Sequence, residues 1–171
     1  MFAIRRCLRG MGGRTGGGKR RGIFSGEIRN NLSAGVPHLG EFAECTHAFE
    51  QADVNTFAGI CGDDNPLHTN PEFARSTIFK APIVHGILVS SLFSTLFGGT
   101  TQGSIYVSQD LKFKAPVFVG SPVTARMEVV QSDSKRKGVL LTCSTTCVLE
   151  DGTLAVDGHA RVLVPHPAAK E

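Results

Sequence analysis

The sequence predicts an α+β fold in which an antiparallel sheet wraps one buried helix, and three observations predict it. Residues 83–97, IVHGILVSSLFSTLF, hold nine large apolar residues spread around the helix rather than along one stripe, as in a helix enclosed by protein. Beyond this segment the hydrophobic period changes from near four to two, which marks strands with one buried face. The links between those strands are short and rich in turn residues, so neighbouring strands pair as antiparallel hairpins.

Residues 1–26 stand apart from the body. They carry seven of the 18 Lys and Arg and no acid. Phe2, Ile4 and Leu8 lie among the arginines, the pattern of a mitochondrial transit peptide. The competing reading is a flexible RG-rich tail that binds nucleic acid. The remaining 11 basic and 15 acidic residues give the body a net charge of −4, which speaks against a nucleic-acid partner for the fold itself. A membrane partner is not expected either, because the apolar helix is too short to span a bilayer. At 171 residues and 41% apolar, the chain suits one domain with a short extension. Residues 27–40, with Asn30, Asn31, Gly35 and Pro37, read as a linker or arm, residues 41–165 as the domain, and residues 166–171 as a tail.

Within the domain, residues 41–49 form a first strand. Val54, Phe57, Ala58 and Cys61 recur at helical spacing, so residues 50–61 form a short amphipathic helix whose start lacks a good cap. The segment GDDNPLH, residues 62–68, is an irregular loop punctuated by Gly62, Asn65 and Pro66. Asn70 as cap, Pro71 at the first helical position and Glu72 behind it signal a short helix over PEFARS. In the apolar helix Gly86, Ser90 and Ser94 recur every fourth position and line one stripe open to close approach. Four alternating runs then follow at residues 104–114, 123–129, 139–149 and 154–164, linked by VGSP, SDSKRKG and EDGT. This is the hot-dog architecture in outline. Its open sheet edges favour a homodimer.

Five cysteines, one of them in the extension, form no secreted disulfide framework and fit a reducing compartment. Cys143 and Cys147, four positions apart in one strand, are separated by roughly 13 Å, beyond disulfide reach, and read as small core thiols.

The chemistry-bearing residues gather in the loop. Asp63, Asp64 and His68 leave it as two carboxylates and an imidazole, and a carboxylate and an imidazole can hold one water between them and move its protons. Taken alone, Asp63 and Asn65 could cap a turn and His68 could sit at the surface. His85 reads as a packing or bonding residue at the helix start. Asp63, Asp64, His68 and His85 follow no zinc spacing, so no metal is expected. Ser90 and Ser94 commonly bond back to the preceding turn. Lys112 and Lys114 fit a solvated strand face better than a phosphate site.

Taken together, FAGICGDDNPLH at 57–68, NPEFA at 70–74, PIVHG at 82–86, SLFS at 91–94 and GSIYVSQDLKFKAPVFVG at 103–120 carry a resemblance. The chain resembles the (R)-specific enoyl-thioester hydratases of the MaoC-like group, hydratase 2, over residues 45–164. The resemblance implies reversible addition of water to a trans-2-enoyl thioester, giving the (R)-3-hydroxyacyl form, without metal or organic cofactor. It maps the catalytic acid and histidine of GDxNPLH to Asp63 and His68, and leaves Asp64 at a variable position without a catalytic role. It places the oxyanion contact on the backbone N–H of Gly86, has Ser94 orient the carboxylate, and has Asn65 hold the loop's shape. It further implies an acyl-CoA or acyl-carrier-protein substrate and, in the mitochondrial matrix, 3-hydroxyacyl-thioester dehydration in fatty acid synthesis. A non-catalytic acyl-thioester-binding protein and a thioesterase are the alternatives on the same fold.

Overall fold

The computed structural model describes residues 26–166; the expected transit peptide, save Gly26, and the tail beyond His166 lie outside the described residues. Within them the chain runs β1 (Ile28–Asn30), β2 (Phe42–Ala48), α1 (Gln51–Cys61), α2 (Pro66–Thr69), α3 (Pro71–Ser76), α4 (Gly86–Thr100), β3 (Ile105–Phe113), β4 (Pro122–Lys135), β5 (Gly138–Leu149) and β6 (Leu154–Pro165). The strands form one sheet in the order β1-β2-β4-β5-β6-β3, every neighbouring pair antiparallel.

Helix α4 lies across β1, β2, β4 and β5. It buries Leu88, Val89, Leu92, Phe93, Leu96 and Phe97 against inward residues such as Ala43, Val123, Ala125, Met127 and Cys143. Each large apolar side chain enclosed in this way contributes on the order of 1.5–3 kcal/mol, so the α4–sheet contact is the main source of cohesion. Cys143 and Cys147 are free thiols buried in this core, as their strand spacing requires. No helix among the described residues is long and apolar enough to cross a membrane.

Several expectations are corrected. The helix begins at Gly86 rather than Ile83, because residues 82–84 run extended beside residues 117–119: the Val84 N–H donates to the Val117 carbonyl at 2.8 Å and the Val119 N–H to that of Pro82 at 3.2 Å. Burial of α4 is not all-round, since Ile87 is 56% exposed and Ser91, Ser94 and Gly98 are exposed beside it. Strand β3 does not bury one face. Ile105, Val107 and Phe113 are each more than half exposed, because β3 stands at the edge of the sheet, away from the strands that α4 covers. The segment SDSKRKG is mostly strand, with β4 running to Lys135 past a register shift between Val129 and Gln131. Residues 27–40 contribute β1 to the sheet and are pinned by the Glu41 carboxylate, which accepts from the Ser33 hydroxyl and from the N–H of Ser33 and of His38. The start of α1 is capped after all: the Asp53 carboxylate accepts the Glu50 N–H at 2.9 Å, closing the helix start from inside its first turn.

Candidate active site

Helix α1 ends at Gly62, whose φ of 81° only glycine adopts at low cost, and the reversal throws Asp63 across the start of α4. The loop is then braced twice. The Asp63 Oδ1 accepts the Asn65 N–H at 3.3 Å, and Asn65 Oδ1 accepts the Leu67 N–H at 3.0 Å, so Asn65 caps α2 with Pro66 behind it. What reads as irregular loop at His68 is therefore one helical turn. Asn70 then caps α3 through the N–H groups of Glu72 and Phe73, as its position predicts.

His68 is half-buried and its Nδ1 lies 2.7 Å from the Ile83 carbonyl. A carbonyl only accepts, so Nδ1 carries the hydrogen and Nε2 keeps a lone pair. Ile83 is fixed in turn by its bridge to Phe118. Asp63 is about half exposed, with a side-chain exposure of 55%. One ligand atom from each of Asp63, His68 and His85 lies within 4.8 Å of the others. Two hydrogen bonds of ~2.8 Å meeting at a near-tetrahedral angle span ~4.6 Å, a span that the 4.8 Å limit accommodates. By residue type the same trio offers metal ligands, and in His85 the Nε2 donates to the Asp63 carbonyl at 2.9 Å.

Gly86, first residue of α4, lies in the wall of the cavity that holds Asp63 and His68. Its N–H is one of the first-turn donors without an intrahelical partner, at the positive end of the helix dipole. The cavity, about 590 Å³ in volume, is walled mostly by apolar side chains, among them Phe57, Phe79, Ile83, Val89, Phe113, Val117 and Val156. Cys61 and Lys114 also line it. Lys114 is 3.8 Å from Asp157, a loose pair at the surface.

Of the sequence-predicted residues, the structure brings Asp63, His68 and Gly86 into one cavity wall, with Asn65 bracing the loop beside them. It does not bring Ser94 there: two turns beyond Gly86, Ser94 is exposed on α4 and lies outside the cavity wall. Asp64 is exposed too; its carbonyl accepts the Thr69 hydroxyl at 3.4 Å. Sequence reasoning missed how close His85 comes to both acid/base groups, and it missed the Phe113 ring over Gly86. Phe113 was visible as the last apolar residue of its strand; His85 had no signal beyond standing next to Gly86.

The MaoC-like domain model matches residues 39–148. An (R)-specific enoyl-CoA hydratase from Aeromonas caviae is 43% identical over 136 residues, spanning 78% of this chain and 100% of the relative. A mitochondrial 3-hydroxyacyl-[acyl-carrier-protein] dehydratase of Solanum lycopersicum is 32% identical over 136 residues, 80% of this chain and 82% of the relative. Among solved structures, an (R)-hydratase from A. caviae involved in PHA biosynthesis superposes with a TM-score of 0.71 at 45% identity, covering 75% of this chain and 97% of that one.

Proposed function

This chain belongs to the MaoC-like domain family, and on that footing we propose that it is a hydro-lyase that reversibly hydrates trans-2-enoyl thioesters to (R)-3-hydroxyacyl thioesters. The observation that carries the reading is the approach of Asp63 and His68, ligand atoms within 4.8 Å of each other, in an apolar cavity whose wall includes Gly86. The acyl chain lies among the apolar walls. The thioester oxygen accepts the Gly86 N–H, which stabilises negative charge as it develops there. The water held by the Asp63 carboxylate and His68 Nε2 attacks the β-carbon with its oxygen. One of its protons passes through this pair to the α-carbon, and either group can deliver it. The reverse sequence expels water from the hydroxyacyl form. The chain's own residues supply the acid, the base and the oxyanion contact, so the scheme uses no cofactor.

Mitochondrial matrix location is supported by the acid-free, Arg-rich residues 1–26 and by the word mitochondrial in the names of the two plant relatives. There the substrate is an acyl-CoA or acyl-carrier-protein thioester of fatty acid synthesis. A homodimer is supported by the apolar exposed edge β3 and by the exposed stripe of α4. In it, Ser94 supports a catalytic carboxylate across the contact between copies rather than within one chain.

Crotonyl-CoA tests the core of the proposal. Loss of enoyl absorbance without release of free thiol is expected; thiol release marks a thioesterase, and neither signal marks a non-catalytic binder. Asp63→Asn or His68→Ala should lower turnover by roughly a few hundred-fold, as loss of an acid/base group does, and near-normal turnover in either rules the mechanism out. A fluorescent fusion lacking residues 1–26 should fail to reach mitochondria, and sedimentation should give twice the chain mass.

A further inference from the structure

One side chain touches every part of the site without reacting in it. His85 is 3% exposed, the residue immediately before Gly86 and the cap position of α4. Its Nε2 donates to the main-chain carbonyl of Asp63 at 2.9 Å and lies 3.9 Å from that residue's carboxylate. Its ring lies on the His68 ring, centroids 3.9 Å apart and planes tilted by 30°, and meets the edge of Phe57 at 5.1 Å. The Asp63 carbonyl can only accept, so the hydrogen of the neutral imidazole is fixed at Nε2. The other nitrogen, Nδ1, is buried without a hydrogen-bond partner.

These facts separate a structural filler from a positioning device. If the site needed only an aromatic ring beneath His68, phenylalanine would fill it without burying a bare ring nitrogen, which is unfavourable. Asp63 stands on an exposed reversal, its carboxylate accepting a hydrogen bond from the Asn65 N–H in the same loop. The bond from His85 is what ties the Asp63 backbone to the element that carries Gly86. The contact with the His68 ring then sets where that imidazole lies relative to Asp63. Errors of ~1 Å in such a pair cost ~100-fold in rate, so a residue that fixes the spacing matters even though it touches no substrate.

We propose that His85 is the positioning residue of this site: through its bond to the Asp63 carbonyl and its face on His68 it sets the spacing of the acid/base pair and locks that pair to the Gly86 amide. The inference rests on the hydro-lyase reading above. Two substitutions divide the side chain's parts. His85→Phe keeps the ring and loses the N–H; His85→Gln keeps an N–H near the Nε2 position and loses the ring. Steady-state kinetics with crotonyl-CoA, with circular dichroism melts as the folding control, should show His85→Phe lowering kcat roughly 100-fold with KM within about threefold of wild type. His85→Gln should recover at least about tenfold of that loss. A merely structural residue would instead lower activity and melting temperature together, with Gln no better than Phe, and that result overturns the proposal, as does a His85→Phe enzyme as fast as wild type. If His85→Phe does not fold, His85→Gln decides alone: kcat within about tenfold of wild type at unchanged KM supports the tether, and a folded but inactive His85→Gln overturns it. An inactive wild type would sink the hydro-lyase reading itself, which keeps the two failures apart.

Discussion

Gly86→Ala separates catalysis from folding at the point where the two meet. A Cβ on Gly86 would lie 2.6 Å from Cε1, 2.7 Å from Cδ1 and 3.0 Å from Cζ of Phe113, so the ring must move. Phe113 is 54% exposed at the end of an edge strand, and swinging it off its rotamer costs ~0.5–1.5 kcal/mol. Replacing glycine by alanine in a helix returns up to about 1 kcal/mol. The two nearly cancel, and the melting temperature should stay within ~4 °C of wild type. Activity has no such compensation. The displaced ring and the new methyl crowd the amide that receives the thioester oxygen, and loss of one oxyanion donor costs ~100- to 1,000-fold in kcat. Hydration of crotonyl-CoA followed by enoyl absorbance, beside a thermal melt, reads both. Adding Phe113→Ala should restore roughly tenfold or more, because the methyl then meets no ring. Gly86→Ala activity within about twofold of wild type would refute the oxyanion assignment, and a fall of more than ~10 °C in melting temperature would refute the packing estimate.

Gly158→Ala should be far costlier to the fold. Its Cβ would stand 1.9 Å from the Asp110 carbonyl oxygen and 2.9 Å from the carbonyl carbon, main-chain atoms of the neighbouring strand that can yield only by parting β3 from β6. A loss of ~3 kcal/mol or more is expected, read as a fall on the order of 10 °C in melting temperature; a shift under ~2 °C would show that the strands can slide apart freely. Burial pushes the thiol of Cys45 up to about 11 and those of Cys143 and Cys147 up to about 12 from an ordinary 9.0. The folded state thus keeps these protons longer than the unfolded chain does. Their contribution is complete below pH ~9 and is lost as pH rises toward ~12, at up to about 1.4 kcal/mol per pH unit for each thiol. The urea midpoint should fall steadily above pH ~9, less so in Cys143→Ala; a midpoint unchanged at pH ~10.5 contradicts the burial.

Strands β4, β5 and β6 were legible because alternation of apolar and polar side chains is the local imprint of a one-sided sheet. The exposure of β3 was not. Ile105 and Val107 alternate as well as any inward residue, but periodicity tells which side is apolar and not what covers it. The true start of α4 was hidden for a related reason: Ile83 and Val84 are apolar enough to continue the helix, and only their pairing with residues 117–119 holds them extended. At the site, Asp63, His68 and Gly86 could be placed from motif and turn chemistry, since Gly62, Asn65 and Pro66 dictate the loop's shape locally. The reach of His85 back to Asp63, 22 positions earlier, leaves no periodic trace. Ser94 shows the limit from the other side: its place on the helix was clear, while the structure leaves it exposed and outside the cavity wall.

Asp63, His68, His85 and Gly86 all fall within one continuous run of sequence, while Val117 and Val156 bound the cavity from later parts of the chain. The reactive machinery is thus a compact cassette, braced from outside by the bridge from Ile83 to Phe118. Repacking those two valines is the route by which selection or an engineer could retune which acyl chains fit without changing a reactive side chain.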